Sequence, residues 1–334
     1  MSTARRIAVL GGGRSSEHQI SLASAASVAA GLREAGHDVL AVEVGADGVW
    51  RTGAAEVSLS PGRGWPGVDV VFPVLHGPFG EDGTVQGLLE LLGVPYVGAG
   101  VLASAACMDK VVFKELMAGA GIPQVDYRAA TARDWGNDPD AVLASVSELG
   151  LPVFVKPARL GSSVGIGRVL TPDQLRPALD EAFTHDPLVI VEAAATGIEV
   201  ECSVLGNEEP IVSAPGEIML AAGESGWYDY EAKYTPGAMR LIVPARISET
   251  ARERVQELAI AAFIRSGCAG LARADFFVDG EDVLVNELNT MPGFTETSVY
   301  GALFTASGIP YPELLDRLVG FALERHERER AYTF

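Results

Sequence analysis

The stretch "GLARADFFVDGEDVLVNELN", residues 270 to 289, contains two apolar runs separated by turn residues at positions 279 to 282. Turn residues between two such runs predict a β-hairpin. The second run places an acid, Glu287, two positions before an amide, Asn289. A strand directs both of these side chains to the same face, which marks this face as a candidate site.

The register of the hairpin decides whether a second acid joins them. If the loop comprises residues 280 to 282, Asp275 lies opposite Glu287, with Cβ atoms roughly 4.5 to 5.5 Å apart. A two-residue loop instead pairs Asp275 with Asn286 and turns Glu287 to the other face, because a one-residue slip reverses every side chain. The site therefore requires an odd-length loop or a β-bulge.

Two carboxylates and an amide oxygen are hard ligands of the kind that Mg²⁺ prefers, together with water and phosphate oxygens. An acidic edge strand whose charges face solvent would have the same spacing. The spacing alone leaves both alternatives open.

The composition of the 334 residues, with 48% hydrophobic residues and a formal net charge of -19, is typical of a globular protein and argues against nucleic-acid or anionic-membrane partners. No apolar run approaches the roughly 18 residues of a membrane span, and the N-terminus does not resemble a secretory signal. We therefore expect a cytoplasmic protein with small-molecule substrates. The three cysteines are far apart in sequence and predict neither a disulfide framework nor a zinc site.

The basic residues are unevenly divided, since only four of 25 are lysines, at positions 110, 114, 156 and 233. Genome composition can explain the excess of arginine but not the choice of these four positions. A lysine supplies a compact ammonium group, so each of the four is a candidate site residue.

The order of predicted elements indicates an α/β protein. A buried strand at 6 to 10, a helix ending at Gly36, and strands at 37 to 44 and 68 to 77 form a β-α-β unit with a parallel sheet. A second unit follows, in which two strands flank the glycine-rich loop "GSSVGIG". Further on, the polar segment 223 to 239 has no clear period and is predicted to be a long functional loop.

Seven stretches, in order along nearly the whole chain, resemble D-alanine:D-alanine ligases of the ATP-grasp superfamily. They are "SSEHQISL" (15 to 22), "HGPFGEDGTVQG" (76 to 87), "MDK" (108 to 110), "VKPARLGSSVGIG" (155 to 167), "YDYEAKY" (228 to 234), "RADF" (273 to 276) and "NELNTMPGFTETS" (286 to 298). The resemblance implies a three-domain ATP-grasp fold. Its expected parts are an N-terminal Rossmann-like domain at 1 to 107, a central domain at 108 to 195 and a C-terminal domain at 196 to 334.

The activity implied by this resemblance is ligation of two D-alanines for peptidoglycan precursors. ATP phosphorylates the carboxylate of the first D-alanine, and the amine of the second attacks the acyl phosphate, which leaves ADP and phosphate. The family also implies two Mg²⁺ ions, with Mn²⁺ as a possible substitute, and a homodimer.

The resemblance also assigns residues to the nucleotide and the metals. Those at the nucleotide are Lys110, Lys156, Ser162, Ser163, Glu192, Glu199, Lys233, Asn286 and Glu287, and those at the metals are Asp275, Glu287 and Asn289. Three of the four lysines are thus expected at phosphate positions. Where many relatives carry Lys after the first of these glutamates, this chain has Ala193.

The remaining assignments concern the amino-acid substrates. The residues expected to take part in catalysis are Glu17, Ser162, Tyr234, Arg273 and Gly293, and those expected to bind substrate are Glu17, His76, Arg273 and Ser298. Without the resemblance, Glu17 is an ordinary first-turn helix residue, His76 a packed loop histidine and the glycine-rich loop a tight hairpin.

Three other functions compete with this assignment. A dinucleotide-dependent oxidoreductase would use the first β-α-β unit with Glu43 at the ribose, but its glycines do not follow the G-x-G-x-x-G pattern. A D-alanine:D-lactate or D-alanine:D-serine ligase would keep the fold and change the second substrate. A nucleotide-binding pseudoenzyme would lack some of the metal and phosphate residues, all of which are present here.

Overall fold

The first sheet is built around β1 (Arg6–Gly12) in this computed structural model, which describes residues 3–161, 164–220 and 239–333. β1 pairs in parallel with β2 (Asp38–Val44) and with β5 (Val70–Pro73), as the β-α-β pattern predicted. Two short antiparallel strands that were not predicted, β3 (Trp50–Thr52) and β4 (Ala55–Glu56), extend the sheet beyond β2.

The second sheet is antiparallel and has the strand order β6-β9-β7-β8. Its strands are β6 (Tyr127–Thr131), β7 (Val153–Pro157), β8 (Gly167–Val169) and β9 (Leu188–Ala193). The glycine-rich loop joins β7 to β8, which form the predicted hairpin. Apolar side chains of β7 and β9 pack with those of the helix that follows β8 and bury this face of the sheet.

The third sheet has the order β13-β12-β10-β14-β15, with the short β11 (Ile211–Val212) beside β10. Its other strands are β10 (Ile198–Gly206), β12 (Gly216–Leu220), β13 (Met239–Ile242), β14 (Gly270–Asp279) and β15 (Asp282–Asn289). β14 lies between β10 and β15, and β15 is the last strand in this order.

The helices that flank these sheets are α1 (His18–Glu34), α2 (Thr84–Leu92), α3 (Val101–Met108), α4 (Lys110–Gly119), α5 (Ala132–Asn137), α6 (Pro139–Ser147), α7 (Leu175–His185), α8 (Glu249–Arg265), α9 (Val299–Ala306) and α10 (Tyr311–Arg330). The sequence did not predict α3. Asp109 separates α3 from α4, and its carboxylate accepts hydrogen bonds from two N–H groups of the first turn of α4. None of the helices in the described ranges is long and apolar enough to cross a membrane.

The C-terminal helix α10 packs against α1 and the first sheet through Leu314, Leu315 and Leu318. Near its charged end, α10 carries Arg325, which is only 4% exposed. That side chain is buried and donates hydrogen bonds to the carbonyl oxygens of Gly98 and Tyr96, because carbonyls outside regular pairing need donors. The end of the chain is therefore attached to the N-terminal part of the molecule.

Candidate active site

A β-bulge sets the register of the β14–β15 hairpin. The loop has two residues, Gly280 and Glu281, since Asp279 pairs with Asp282. The register then shifts at Asn286, so that Asp275 nevertheless lies opposite Glu287. The three-residue loop is therefore wrong, whereas the bulge, the other arrangement that brings the two acids together, is present.

Asp275 and Glu201 are largely shielded from solvent and form ion pairs with Arg273, which argues against a strand whose acids face solvent. The side chain of Asp275 is 13% exposed, and that of Arg273 is 14% exposed. Arg273 donates from Nε and Nη2 to the two oxygens of Asp275 at 2.8 and 2.7 Å. Its Nε also lies 2.8 Å from Oε2 of Glu201, a buried residue of β10 directly across from Asp275.

The chemistry of this cluster fits a hard divalent cation. Asn289 donates from Nδ2 to Asp275 Oδ2 at 3.0 Å, which leaves its own Oδ1 available as a ligand beside the two carboxylates. Within the described ranges, no group of three or more His, Cys, Asp or Glu side chains could hold a metal by itself. A metal at Asp275, Glu287 and Asn289 would thus need water or substrate oxygens, as Mg²⁺ commonly does.

Three of the lysines lie on α4 and on β7 of the second sheet. Glu192 joins two of them, since its Oε1 is 2.9 Å from Lys114 Nζ and its Oε2 accepts from Lys156 Nζ. The third, Lys110, donates to the carbonyl oxygen of Leu160 at 2.7 Å. Lys114 was predicted to be a site candidate without a specific role, and in the structure it is the buried partner of Glu192.

The electrostatics of this lysine pair keep Glu192 ionised. Burial alone would raise the pKa of Glu192, but the charges of Lys156 and Lys114 outweigh it and lower the pKa to about 2. Burial likewise acts to lower the pKa of Lys156, and the charge of Glu192 more than compensates, so that its pKa rises. Glu192 and Lys156 are therefore both charged at neutral pH.

Lys110, Lys156, the acidic cluster and the residues around the start of α1 line one cavity of about 660 Å³, the size of a small-molecule site. Each predicted site residue within the described ranges borders it. These residues are Glu17, His76, Lys110, Lys156, Glu192, Glu199, Arg273, Asp275, Asn286, Glu287, Asn289, Gly293 and Ser298. Ser162, Ser163, Lys233 and Tyr234 lie outside the described residues.

Two carboxyl groups converge at Gly77 on the α1 side of the cavity. The Gly77 N–H donates to Glu81 Oε2 at 2.6 Å, and a Cβ at Gly77 would lie 2.7 Å from Glu17 Oε2. Burial and then the charge of Glu17 raise the pKa of Glu81 to about 8, so Glu81 is mostly protonated at neutral pH. Sequence reasoning missed Glu81, although it stands in the quoted stretch "HGPFGEDGTVQG".

The loop between β15 and α9 closes the cavity near His76. His76 is buried, and its Nδ1 lies 3.1 Å from the carbonyl oxygen of Met291. Burial lowers the pKa of His76, with Glu17 opposing that shift, so the imidazole is neutral. Further along the loop, Ser298 Oγ accepts from the Thr295 N–H at 3.0 Å. His76 is thus both a packed loop residue and a cavity residue.

Comparison with known proteins gives the family. The profile described as D-ala D-ala ligase C-terminus matches residues 116–320, and the one described as D-ala D-ala ligase N-terminus matches residues 6–65 and 56–99. The chain belongs to the D-ala D-ala ligase family. The D-alanine--D-alanine ligase of Deinococcus radiodurans is 48% identical over 338 residues, which cover 96% of this chain and 99% of the relative. That of Geobacillus thermodenitrificans is 45% identical over 98% of both chains.

Solved structures agree with this D-ala D-ala ligase assignment. The D-alanine-D-alanine ligase of Coxiella burnetii superposes with a TM-score of 0.86 at 36% identity, over 99% of this chain and 97% of the other. The VanG D-Ala:D-Ser ligase of Enterococcus faecalis has the same TM-score and identity, over 96% of this chain and 100% of the other. The predicted α/β ATP-grasp fold is confirmed, and the oxidoreductase alternative is wrong.

Proposed function

We propose that this chain joins two D-alanines into D-alanyl-D-alanine with ATP, and releases ADP and phosphate for peptidoglycan precursor synthesis. The observation that carries the proposal is that one cavity is lined by the acidic cluster, by Lys110 and Lys156, and by Glu17. A carboxylate is a poor acyl donor, so it must first become an acyl phosphate. Such chemistry depends chiefly on positioning and charge neutralisation, for which these residues are suited.

The nucleotide is proposed to lie between the second and third sheets. Lys110 and Lys156 would contact its phosphates, with Lys233, Ser162 and Ser163 joining them. Lys156 forms an ion pair with Glu192, and Glu199 lines the same cavity. Glu192 and Glu199 would accept hydrogen bonds from the adenosine, and Asn286 would lie beside the bound nucleotide.

The metals are proposed to bind at Asp275, Glu287 and Asn289 as two Mg²⁺ ions, for which Mn²⁺ could substitute. A bound Mg²⁺ neutralises charge on the phosphate oxygens during transfer. The opposed carboxylates and the inward amide of the bulged hairpin support this assignment.

The first D-alanine is proposed to bind at Glu17 and Arg273. Glu17 would hold its ammonium group, and Arg273 would donate to the oxyanion that forms when the acyl phosphate is attacked. The backbone N–H of Gly293 would be the second donor to this oxyanion.

The second D-alanine is proposed to place its carboxylate at Ser298 and its amine toward the acyl carbon. Tyr234 and Ser162 would orient that amine together with Glu17, and His76 would border the pocket. Ester formation with D-lactate at a rate rivalling D-alanine would contradict this assignment of the amine site.

A D-alanine:D-serine ligase is the second candidate. The VanG D-Ala:D-Ser ligase matches this chain as well as the Coxiella burnetii enzyme does, with a TM-score of 0.86 for both. The two candidates differ only in the second substrate, so the fold cannot separate them.

The experiment is an ADP-release assay with D-alanine, L-alanine, or D-alanine paired with D-serine or D-lactate, with the products identified by mass spectrometry. We expect ADP release and dipeptide with D-alanine alone, and neither with L-alanine. No ADP release with D-alanine would overturn the proposal. A mixed product exceeding D-alanyl-D-alanine at equal concentrations would favour the second candidate.

We further propose that the enzyme is cytoplasmic and homodimeric and that its three domains comprise residues 1 to 107, 108 to 195 and 196 to 334. The three sheets draw their strands from 6 to 73, from 127 to 193 and from 198 to 289, which supports this division. A mass near twice 35.0 kDa in light scattering is the expected result for the dimer.

A further inference from the structure

Two serines one turn apart on α1 contact the loop that carries Gly293. Ser24 Oγ accepts from the Phe294 N–H at 3.3 Å, and Ser27 Oγ accepts from the Glu296 N–H at 3.1 Å. Neither serine has a role in the chemistry described above. Both bonds connect the helix that begins after Glu17 to the loop between β15 and α9.

The direction of the hydrogen bonds around Ser24 can be worked out from the donor inventory. The Met291 carbonyl can only accept, so His76 Nδ1, at 3.1 Å, carries a proton and donates. His76 is neutral, so its Nε2 has no proton and accepts from the Ser24 hydroxyl at 3.2 Å. Ser24 in turn accepts from the Phe294 N–H, so the direction of each hydrogen bond in the series is defined.

This series begins and ends on the same loop. It runs from the Phe294 N–H through Ser24 and His76 to the Met291 carbonyl, and so holds both ends of the segment that contains Pro292 and Gly293. Tyr311 adds a further bond on the outer side, from its hydroxyl to the Phe294 carbonyl at 2.6 Å. The backbone of Gly293 is therefore fixed by contacts from α1 and from the loop after β5.

We propose that Ser24 is a positioning residue for the second substrate, which acts by holding the segment from Met291 to Phe294, and with it Gly293 and Ser298, in register with Glu17. This inference rests on the proposed function, in which Gly293 faces the oxyanion and Ser298 the second carboxylate. α1 carries Ser24 and begins directly after Glu17, so one rigid element sets the distance between the two amino-acid sites.

Ser21 offers a matched control on the same helix. It is 0% exposed and Ser24 is 1% exposed. Its hydroxyl also joins two groups, since it accepts from the Gly12 N–H at 2.8 Å and donates to the Val74 carbonyl. These partners belong to the first sheet and its margin rather than to the loop that carries Gly293.

The test compares Ser24→Ala with Ser21→Ala in the full chain. Dipeptide formation is measured with ATP and D-alanine, and hydroxylamine is added as a competing nucleophile that attacks the acyl carbon, expels phosphate and gives D-alanyl hydroxamate. Hydroxylamine has no carboxylate, so the ratio of hydroxamate to dipeptide reports on how the second D-alanine is held. Thermal midpoints give the effect of each substitution on folding.

For Ser24→Ala we expect the hydroxamate-to-dipeptide ratio to rise about tenfold, the size of effect that one lost hydrogen bond of about 1.4 kcal/mol produces. The KM for ATP should change less than about twofold, because the hydrogen bonds of Ser24 go to Phe294 and His76 and not to Lys110 or Lys156. Ser21→Ala should lower the thermal midpoint comparably and leave the ratio unchanged.

Equal ratios for the two variants would overturn the inference, and so would a loss shared equally by the KM for ATP and the ratio. If Ser24→Ala does not fold, Ser27→Ala tests the same loop from a less buried position, and an unchanged ratio there would overturn it. A wild-type chain that makes neither product would instead contradict the proposed function.

Discussion

The buried pair of lysines around Glu192 allows a quantitative prediction for Lys114→Met. Methionine has nearly the length of lysine and no charge, so the substitution removes the ammonium with little change in packing. The pKa of Glu192 falls from 4.5 to about 2 in the folded protein. A lowered pKa means that the stabilisation is present above pH 4.5 and is lost as pH falls towards 2.

That shift corresponds to about 3 kcal/mol of unfolding free energy at neutral pH. Lys156 and Lys114 share it, with Lys156 the stronger of the two. Removing Lys114 also removes the desolvation cost of its buried ammonium, and this offsets part of the lost attraction to Glu192. We therefore expect Lys114→Met to destabilise the protein by about 1 to 2 kcal/mol at pH 7.5.

The assay is urea unfolding of Lys114→Met, Glu192→Gln and the double variant, which together form a double-mutant cycle. Arg317→Met is the control, because Arg317 pairs with Glu313 on an exposed part of α10, and its loss is expected to change stability by less than about 0.5 kcal/mol. A coupling energy between Lys114 and Glu192 no larger than the effect of this control would refute the reasoning. So would a difference between Lys114→Met and wild type that grows, rather than shrinks, below pH 4.5.

Three further changes test the rest of the cavity. Asp275→Asn should raise the Mg²⁺ concentration for half-maximal ADP release by at least about tenfold, because even the loss of a residue that only contacts a metal ligand commonly has that effect. An unchanged Mg²⁺ titration would contradict the assignment of the metal site to the hairpin. Glu81→Gln should be more stable than wild type at pH 9 and equally stable at pH 4, because a pKa raised from 4.5 to about 8 destabilises the folded state as pH rises through that range. We expect about 2 kcal/mol, less than the full shift implies because the carboxyl borders the cavity, and urea unfolding at the two pH values measures it. Gly77→Ala would force a Cβ to within 2.7 Å of Glu17 Oε2 at a φ of +72°. We therefore expect a free energy of unfolding lower by about 1 to 2 kcal/mol and a raised KM for D-alanine. Kinetics equal to those of the wild type would show that Glu17 tolerates displacement.

Much of the fold could be predicted from sequence because its signals are local. The apolar strand 6 to 10, the helix that follows and the strand after Gly36 have clear periods, and the structure contains each of them. The short strands β3 and β4 have too few residues to show a period. Helix α3 was missed because the alanine-rich segment that contains it has no polar face to mark its period.

The hairpin shows where sequence reasoning about the site reaches its limit. The spacing of Asp275, Glu287 and Asn289 identified the residues, but a bulge at Asn286 rather than the loop length creates their register. A bulge depends on contacts with the neighbouring strand, and the residues of the hairpin alone do not specify it. Glu201 could have been found, because it stands two residues after Glu199 in the alternating run "IEVEC", and a strand directs both side chains to the same face.

Lys114 was harder to interpret. Because lysines are rare in this chain, Lys114 was a candidate site residue. Its partner Glu192, however, is distant in sequence and contacts it only when α4 packs near β9. Long-range ion pairs of this kind leave no periodic signal in a sequence.

The guanidinium of Arg273 stabilises the acidic cluster when divalent cations are scarce. It lies between Glu201 and Asp275 and supplies the positive charge that their burial demands. The acids therefore need no metal to remain folded together. Under the proposed function, a cell depleted of the divalent cation would keep an intact but idle enzyme, ready to resume cell-wall synthesis when the ion returns.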